Sequence, residues 1–280
     1  MASRAPDADY VAEVEAWRQG RYAHLRQPMS WLSLVGLEWL RDGENRVGTA
    51  AGADLRLPFG PPVAGWLRLD GSRVTATAEG GSGLTNEGRA VQDLGLVSDL
   101  DAPEDGGPTI LELGALRMCL VRRGDRFGLR VWDTHAPALR EFRGIPHYPV
   151  DPAWRVTARF DPAASGERFE VPDVLGHVED EPLPGTVVLE VDGREHRIRA
   201  LDGGDGQLWL VFGDTTNGDT TYHGGRFVYT EPPGADGSVV VDFNRAYNPP
   251  CVFSPYATCS LPPAENRLTI RIEAGERLLG

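Results

Sequence analysis

The residue types best able to do chemistry crowd the stretch from Gly213 to Glu276. Along an extended strand ending at VVVDFN, Asp242 and Asn244 point to the same side. If that side faces an interior, both need partners, because an unpaired buried polar group costs about 1–3 kcal/mol. Arg226, on the preceding strand of an expected hairpin, is a natural partner for Asp242. A buried guanidinium is costly without an anion, so it marks either an internal ion pair or an acidic ligand. The chemical reading is a convergent pocket in which Arg226 holds an anion while Asp242, Asn244, Tyr247 and Asn248 orient it. The structural reading is a hydrogen-bond network that fixes the Pro249–Pro250 turn. Asp214 or Asp242 could serve as a base and His223 as an acid, although nothing in the spacing fixes their geometry. Asp214 to Tyr222 follows a very apolar strand, a place where sites are built, yet its Asp, Asn, Gly and Thr residues are also ordinary turn formers.

Cys251 and Cys259 form a C-x7-C pair. Zinc sites use shorter spacings, usually with a second pair, so the two cysteines with His223 make a poor metal set and no metal is expected. A disulfide is conceivable, but two reduced, mostly buried thiols are the leading reading. Cys119 lies in an apolar strand and reads as core. The six histidines show no helical metal spacing. No G-x-S-x-G, H-E-x-x-H, Walker or Rossmann fingerprint is present, and no cofactor is expected.

The elements that must position these residues are mainly β. Residues 7–25 read as a helix, with Tyr10, Val11, Val14, Trp17 and Tyr22 at helical spacings, acids early, and Arg18 and Arg21 late. Ser30 could cap a second short helix through WLSLVGLEWL, a buried connector. From Gly43 the period shifts toward two, and short strands broken by Gly and Pro suggest a β-sandwich over 43–135. The Pro-rich segment 136–153 is expected to be a packed junction. Residues 154–280 read as a β-barrel or highly curved sheet of six to eight strands. Within it, Asp192–Gly193 sits at a primed hairpin turn and RLTIRIEAGE forms a final strand. With 1–42 as an N-terminal helical segment, the fold class is mainly β with two β-domains.

Four blocks carry a family resemblance: Ser30 to Leu40, RRGDRFGLRVWD from Arg122 to Asp133, DFNRAYNPPC from Asp242 to Cys251, and Glu265 to Leu268. Through them the chain resembles a bacterial and archaeal family called domain of unknown function 1684, which implies no activity. Gly43, Val47, Gly48, Ala53, Asp54, Leu55, Leu57 and Pro58 are similar to the opening pattern of forkhead-associated domains. Phosphopeptide-binding members carry arginine after the glycine matched by Gly48, and here Thr49 stands there.

Composition narrows the function classes. A net charge of −13 with no basic stripe argues against nucleic acid. All 28 basic residues are arginine, which excludes Schiff-base, P-loop-lysine and lysine-base chemistry. No apolar run approaches the roughly 18 residues of a membrane span. The N-terminal sequence shows no signal-peptide core, and cytoplasmic residence is the expectation. Within those bounds, the density of Arg, Asp, Asn and Tyr between residues 214 and 248 leads to a small, acidic ligand bound, and conceivably turned over, in the C-terminal β-domain. The alternatives are a protein-interaction module built on the forkhead-associated-like sandwich, or a purely structural role for the motifs.

Overall fold

The computed structural model describes residues 7–103 and 105–279, so the first six residues of the 1–42 segment and Gly280 lie outside the description. By packing, the chain divides into two compact units, one of residues up to Ala23 together with Arg143 onward, the other His24–Phe142. The chain is mainly β. It opens with helix α1 (Ala8–Leu25), most of which belongs to the first of these units.

In the His24–Phe142 unit the strands are β1 (Leu34–Trp39), β2 (Gly43–Gly48), β3 (Leu55–Arg56), β4 (Gly65–Asp70), β5 (Arg73–Ala78), β6 (Thr85–Asn86), β7 (Arg89–Ala90), β8 (Leu94–Gly95), β9 (Ile110–Leu113), β10 (Leu116–Arg123) and β11 (Arg126–Asp133). They form one sheet in the order β1-β11-β10-β9-β6-β7 and another in the order β3-β2-β4-β5-β8. Period-two patterning is what faces the sheets inward. β4, for example, buries Leu67 and Leu69 and exposes Arg68 and Asp70. Leu67 and Ala76 from one sheet share a core with Met118 and Leu129 from the other. Thr49 donates its hydroxyl to the Pro61 carbonyl (3.2 Å), and Asp54 accepts from the Arg46 backbone amide (2.9 Å). A short helix, α2 (Pro137–Glu141), ends this unit.

The expected helix through Ser30–Leu40 is corrected to a turn followed by β1, so residues up to 42 are not one helical segment. Ser30 and Ser33 bond each other across the turn, Ser30 N to Ser33 Oγ and Ser33 Oγ to Ser30 O. β1 then pairs antiparallel with β11 from Leu34↔Trp132 to Trp39↔Gly128. The open edge of β11 supplies a ladder that outweighs the helical spacing of the leucines and tryptophans.

In the other unit the strands are β12 (Arg155–Pro162), β13 (Arg168–Pro172), β14 (Val178–Pro182), β15 (Gly185–Val191), β16 (Arg194–Asp202), β17 (Leu208–Phe212), β18 (Arg226–Tyr229) and β19 (Ser238–Asp242). Six of them make a curled sheet in the order β18-β17-β16-β15-β12-β19, and β13 pairs with β14 as a separate hairpin. Asp192 and Gly193, both at positive φ (50° and 70°), form the primed turn between β15 and β16 that their sequence demands. The sheet curls far enough for its two edges to meet, and Glu231 N, just past β18, donates to Val240 O on β19 (3.2 Å). Val187, Ile198, Leu210, Phe212, Val241 and Phe243 fill the interior.

The expected last strand, RLTIRIEAGE, is corrected: Arg267–Glu276 is irregular, with single bridges at Gly213↔Arg267 and His147↔Glu276. Scattered backbone bonds, Leu268 N to Gly213 O (2.8 Å), Thr215 N to Ile270 O (3.0 Å) and Glu276 N to Ala246 O (2.8 Å), hold it in place together with side chains. Asn266 Nδ2 donates to Arg199 O and Val211 O, both at 2.9 Å, and Arg226 reaches the carbonyls of Ile272 and Ala274. Polar satisfaction is thus met without a ladder.

Candidate functional site

Arg226 begins β18 and is fully buried. Gly225, at φ +91°, admits it: a Cβ there would lie 2.6 Å from Phe212 O and 2.4 Å from Pro262 Cγ. The guanidinium pairs with Asp214 Oδ2 (2.5 Å), not with Asp242, which corrects the expected partnership. Its remaining Nη donors go to backbone, to Ile272 O (2.8 Å), Ala274 O and Glu276 O (3.4 Å). Asp214 is tied down in turn by the backbone amide (2.6 Å) and hydroxyl of Thr216, whose hydroxyl also meets that of Thr221 (2.7 Å). Every Nη group therefore points at protein. Arg226 is a strut that stitches the irregular C-terminal segment to β18, and Asp214 is its counterion.

Asp242 lies in a different network. It ends β19 and does not continue an extended strand, because its Oδ1 accepts from Asn244 N (3.1 Å) and starts the 3-10 turn Phe243–Arg245. Asp242 and Asn244 are thus joined by a turn rather than by a shared strand face. Oδ1 also accepts from Tyr10 of α1 (2.8 Å). Asn244, fully buried, donates to the Tyr10 hydroxyl and to Asp151 O (both 2.9 Å) and accepts from Asp151 N (2.9 Å). Asp242 Oδ2, by contrast, is buried and accepts no hydrogen bond; Arg245 Nε sits 3.4 Å away, outside hydrogen-bonding geometry. Burial, reinforced by Asp242, raises the Tyr10 hydroxyl well above the usual phenol range.

Asn248 serves a third cluster. Its amide donates to Glu276 Oε2 (2.7 Å), its Nδ2 to Arg277 O (2.8 Å), and its carbonyl accepts from Arg21 of α1 (2.9 Å). Arg21 also pairs with the fully buried Glu276, whose carboxyl burial pushes up against the pull of Arg21. Arg18 and Arg21 are therefore not merely complements to the helix dipole: Arg18 reaches Tyr148 O (3.1 Å) and Arg21 the Glu276 carboxylate.

Asp242, Arg245 and Tyr247 line a cavity of about 270 Å³ at the seam where the edges of the curled sheet meet. Trp17 of α1, Gln207 before β17, Tyr229, Thr230 and Glu231 at the end of β18, and Val240 of β19 complete it. Tyr247 is held from behind. Its hydroxyl accepts from Trp209 Nε1 (3.2 Å), its ring stacks on Tyr229 (6.1 Å, 10° between planes), and Arg21 lies 4.6 Å over its face. Burial raises this phenol strongly, so it is a neutral hydrogen-bonding group. Tyr229 is 46% exposed and presents an aromatic surface. Larger clefts occur against Thr157–Glu195 on the outer sheet face and near Asn86–Glu112, but they lack such a wall of aromatic rings.

The structure therefore gathers Asp242 and Tyr247 at one cavity and assigns Arg226 and Asn248 to internal networks, with Asn244 supporting Asp242 from behind. Asp214, His223 and Asp242, the possible acid and base groups, share no partner among the described residues; His223 packs on Tyr222 at 4.3 Å. Cys251 and Cys259 are joined as a disulfide, which corrects the reading of two reduced thiols. The 3-10 turn Pro250–Val252 and the return of the chain at Ala257 bring their Cα atoms to 6.3 Å. Among the described residues no group of three histidine, cysteine or carboxylate side chains is set to hold a metal. Sequence reasoning missed Trp17, Tyr229, Glu231 and Arg245. The signal for Trp17 was present in its spacing from Tyr10 and Val14, which marks one face of α1.

Residues 140–277 match the family described as protein of unknown function, DUF1684. The chain belongs to this family. The DUF1684 span contains β12 to β19 and the Asp242–Cys251 and Glu265–Leu268 blocks; the Ser30–Leu40 and Arg122–Asp133 blocks fall outside it. Among solved structures the chain is similar to the solution NMR structure of an uncharacterized protein from Haloarcula marismortui, at 30% identity over 50% of this chain and 80% of that one, with a TM-score of 0.42. No curated protein matches the chain.

Proposed function

We propose that this DUF1684 protein binds a small polar molecule in the seam cavity of its C-terminal β-unit. The observation that carries the reading is the union, in one cavity of about 270 Å³, of aromatic walls with a buried carboxylate oxygen that accepts no hydrogen bond. Apolar surfaces with a few convergent polar groups are what small-molecule sites are made of. An acidic ligand was expected on account of Arg226, and the Nη donors of that buried residue go to Asp214 and backbone carbonyls. Around the cavity Arg245 lies beside Asp242, Arg155 pairs with Glu231 (2.8 Å) and Arg21 covers Tyr247, so each of these arginines already has an internal partner.

The reading is tested with Tyr229→Ala. The side chain is substantially exposed, so the fold should tolerate its loss. A ligand-detected NMR screen of small amines, sugars and carboxylic acids should find a binder to the wild-type protein that Tyr229→Ala no longer holds. Binding that is identical in the two proteins would contradict the seam cavity as the site.

A further inference from the structure

We propose that the ligand of the seam cavity carries a compact organic cation, an ammonium or guanidinium group, that docks on Asp242 in the place Arg245 now occupies. The inference rests on the reading of this cavity as a ligand site and names the chemistry it selects. Asp242 is built as half of a recognition pair. Its Oδ1 is saturated by Tyr10 and Asn244, which fixes the carboxylate in place. Its Oδ2 is buried and accepts no hydrogen bond, in a side chain only 10% exposed that lines the cavity. A buried carboxylate oxygen left so is costly, and a donor carrying positive charge satisfies it best.

Arg245 is a poor permanent partner. Its Nε is 3.4 Å from Oδ2 in the wrong geometry and has no other acceptor. Its second contact, with the exposed Glu13, is 3.7 Å long, and the side chain is 37% exposed. The exposed pair with Glu13 is worth little, so Arg245 is held chiefly by its long, misaligned contact with Asp242. The walls suit a cation as well. Tyr229, 46% exposed, and Trp17 add aromatic surface to the lining. The chain's net charge of −13 draws cations and repels anions. An anionic ligand would have to sit beside Asp242, and a neutral polyol would leave the Asp242 charge uncompensated once Arg245 moved.

The test is calorimetric titration of the full chain at low salt with agmatine and choline, with methyl glucoside and citrate as neutral and anionic controls. At least one of the cations should bind. Asp242→Asn should weaken it by about 10- to 100-fold, the loss of one charge-assisted bond. Arg245→Ala should tighten it by up to about five-fold, because a competing internal cation is gone. A residue with only a structural role would not improve binding when removed. If Asp242→Asn melts below the assay temperature, Arg245→Ala decides alone, tightening in support and weakening against. Silence of both cations toward wild type and Arg245→Ala overturns the proposal, as does binding of glucoside or citrate alone. In either case the cavity reading is judged separately, by whether a bound fragment depends on Tyr229.

Discussion

At the scale of single residues, Arg226 and Asp242 divide the two roles that their sequence neighbourhood suggested for one cluster. Arg226 is sealed, with its charge met by Asp214 and its Nη donors by three carbonyls of the C-terminal segment, while its buried Nε has no acceptor. Breaking a buried pair by removing one partner leaves the other charge uncompensated. Arg226→Gln is therefore expected to lose about 3–5 kcal/mol of stability in a denaturant titration. A loss under about 1 kcal/mol would mean that the network is not the strut described. The sequence made the partnership of Arg226 hard to see. Asp214 stands in a run of Asp, Asn, Gly and Thr that reads as a solvated turn, and only the buried hydroxyls of Thr216 and Thr221 show that the turn faces inward. Asp242, by contrast, was legible as a candidate from its place beside Asn244, although the turn that joins them was not.

At the scale of elements, the strands with strict alternation were legible, and the segments whose backbone is served by side chains were not. β15 and β16 with the Asp192–Gly193 turn follow from local pattern alone. β1 was obscured because its leucines and tryptophans fit helical spacing, and only the free edge of β11 decides the matter. The Arg267–Glu276 segment alternates like a strand yet is held by Arg226 and by scattered backbone bonds to Gly213, Thr215 and Ala246. Cysteine spacing left the Cys251–Cys259 pair open, since pairing depends on how the 3-10 turn returns the chain. That disulfide closes a short loop which also anchors the β13–β14 hairpin, through Val174 N to Cys259 O (3.0 Å) and Leu261 N to Pro172 O (2.7 Å). For a loop of this length, loop-closure entropy implies about 2–3 kcal/mol of stabilisation. Alkylation of the denatured protein without reductant is expected to label one cysteine, Cys119, and reduction should lower the stability by that amount. Three labelled cysteines before reduction would contradict the bond.

At the scale of the whole molecule, the family match and the candidate cavity coincide in the unit that begins again at Arg143, and α1 belongs with that unit rather than with the strands that follow it. The helix is not an ornament to the β-unit: Tyr10 fixes Asp242, Trp17 forms a wall, and Arg21 holds Glu276 and the back of Tyr247. The reading of reduced thiols leaned on the expectation of cytoplasmic residence, and the Cys251–Cys259 disulfide runs against that pairing of expectations. No helix among the described residues is long and apolar enough to cross a membrane. The central claim is that function resides at the seam of the curled sheet and not at the Arg226 network. It is tested most directly by mapping backbone and indole amide shifts of the isotope-labelled full chain as a bound fragment or agmatine is titrated in. The expected result is a set of perturbations confined to Trp17, Gln207, Tyr229 to Glu231, and Asp242 to Tyr247. Perturbations centred on Asp214 to Arg226, with the seam unmoved, would contradict the account.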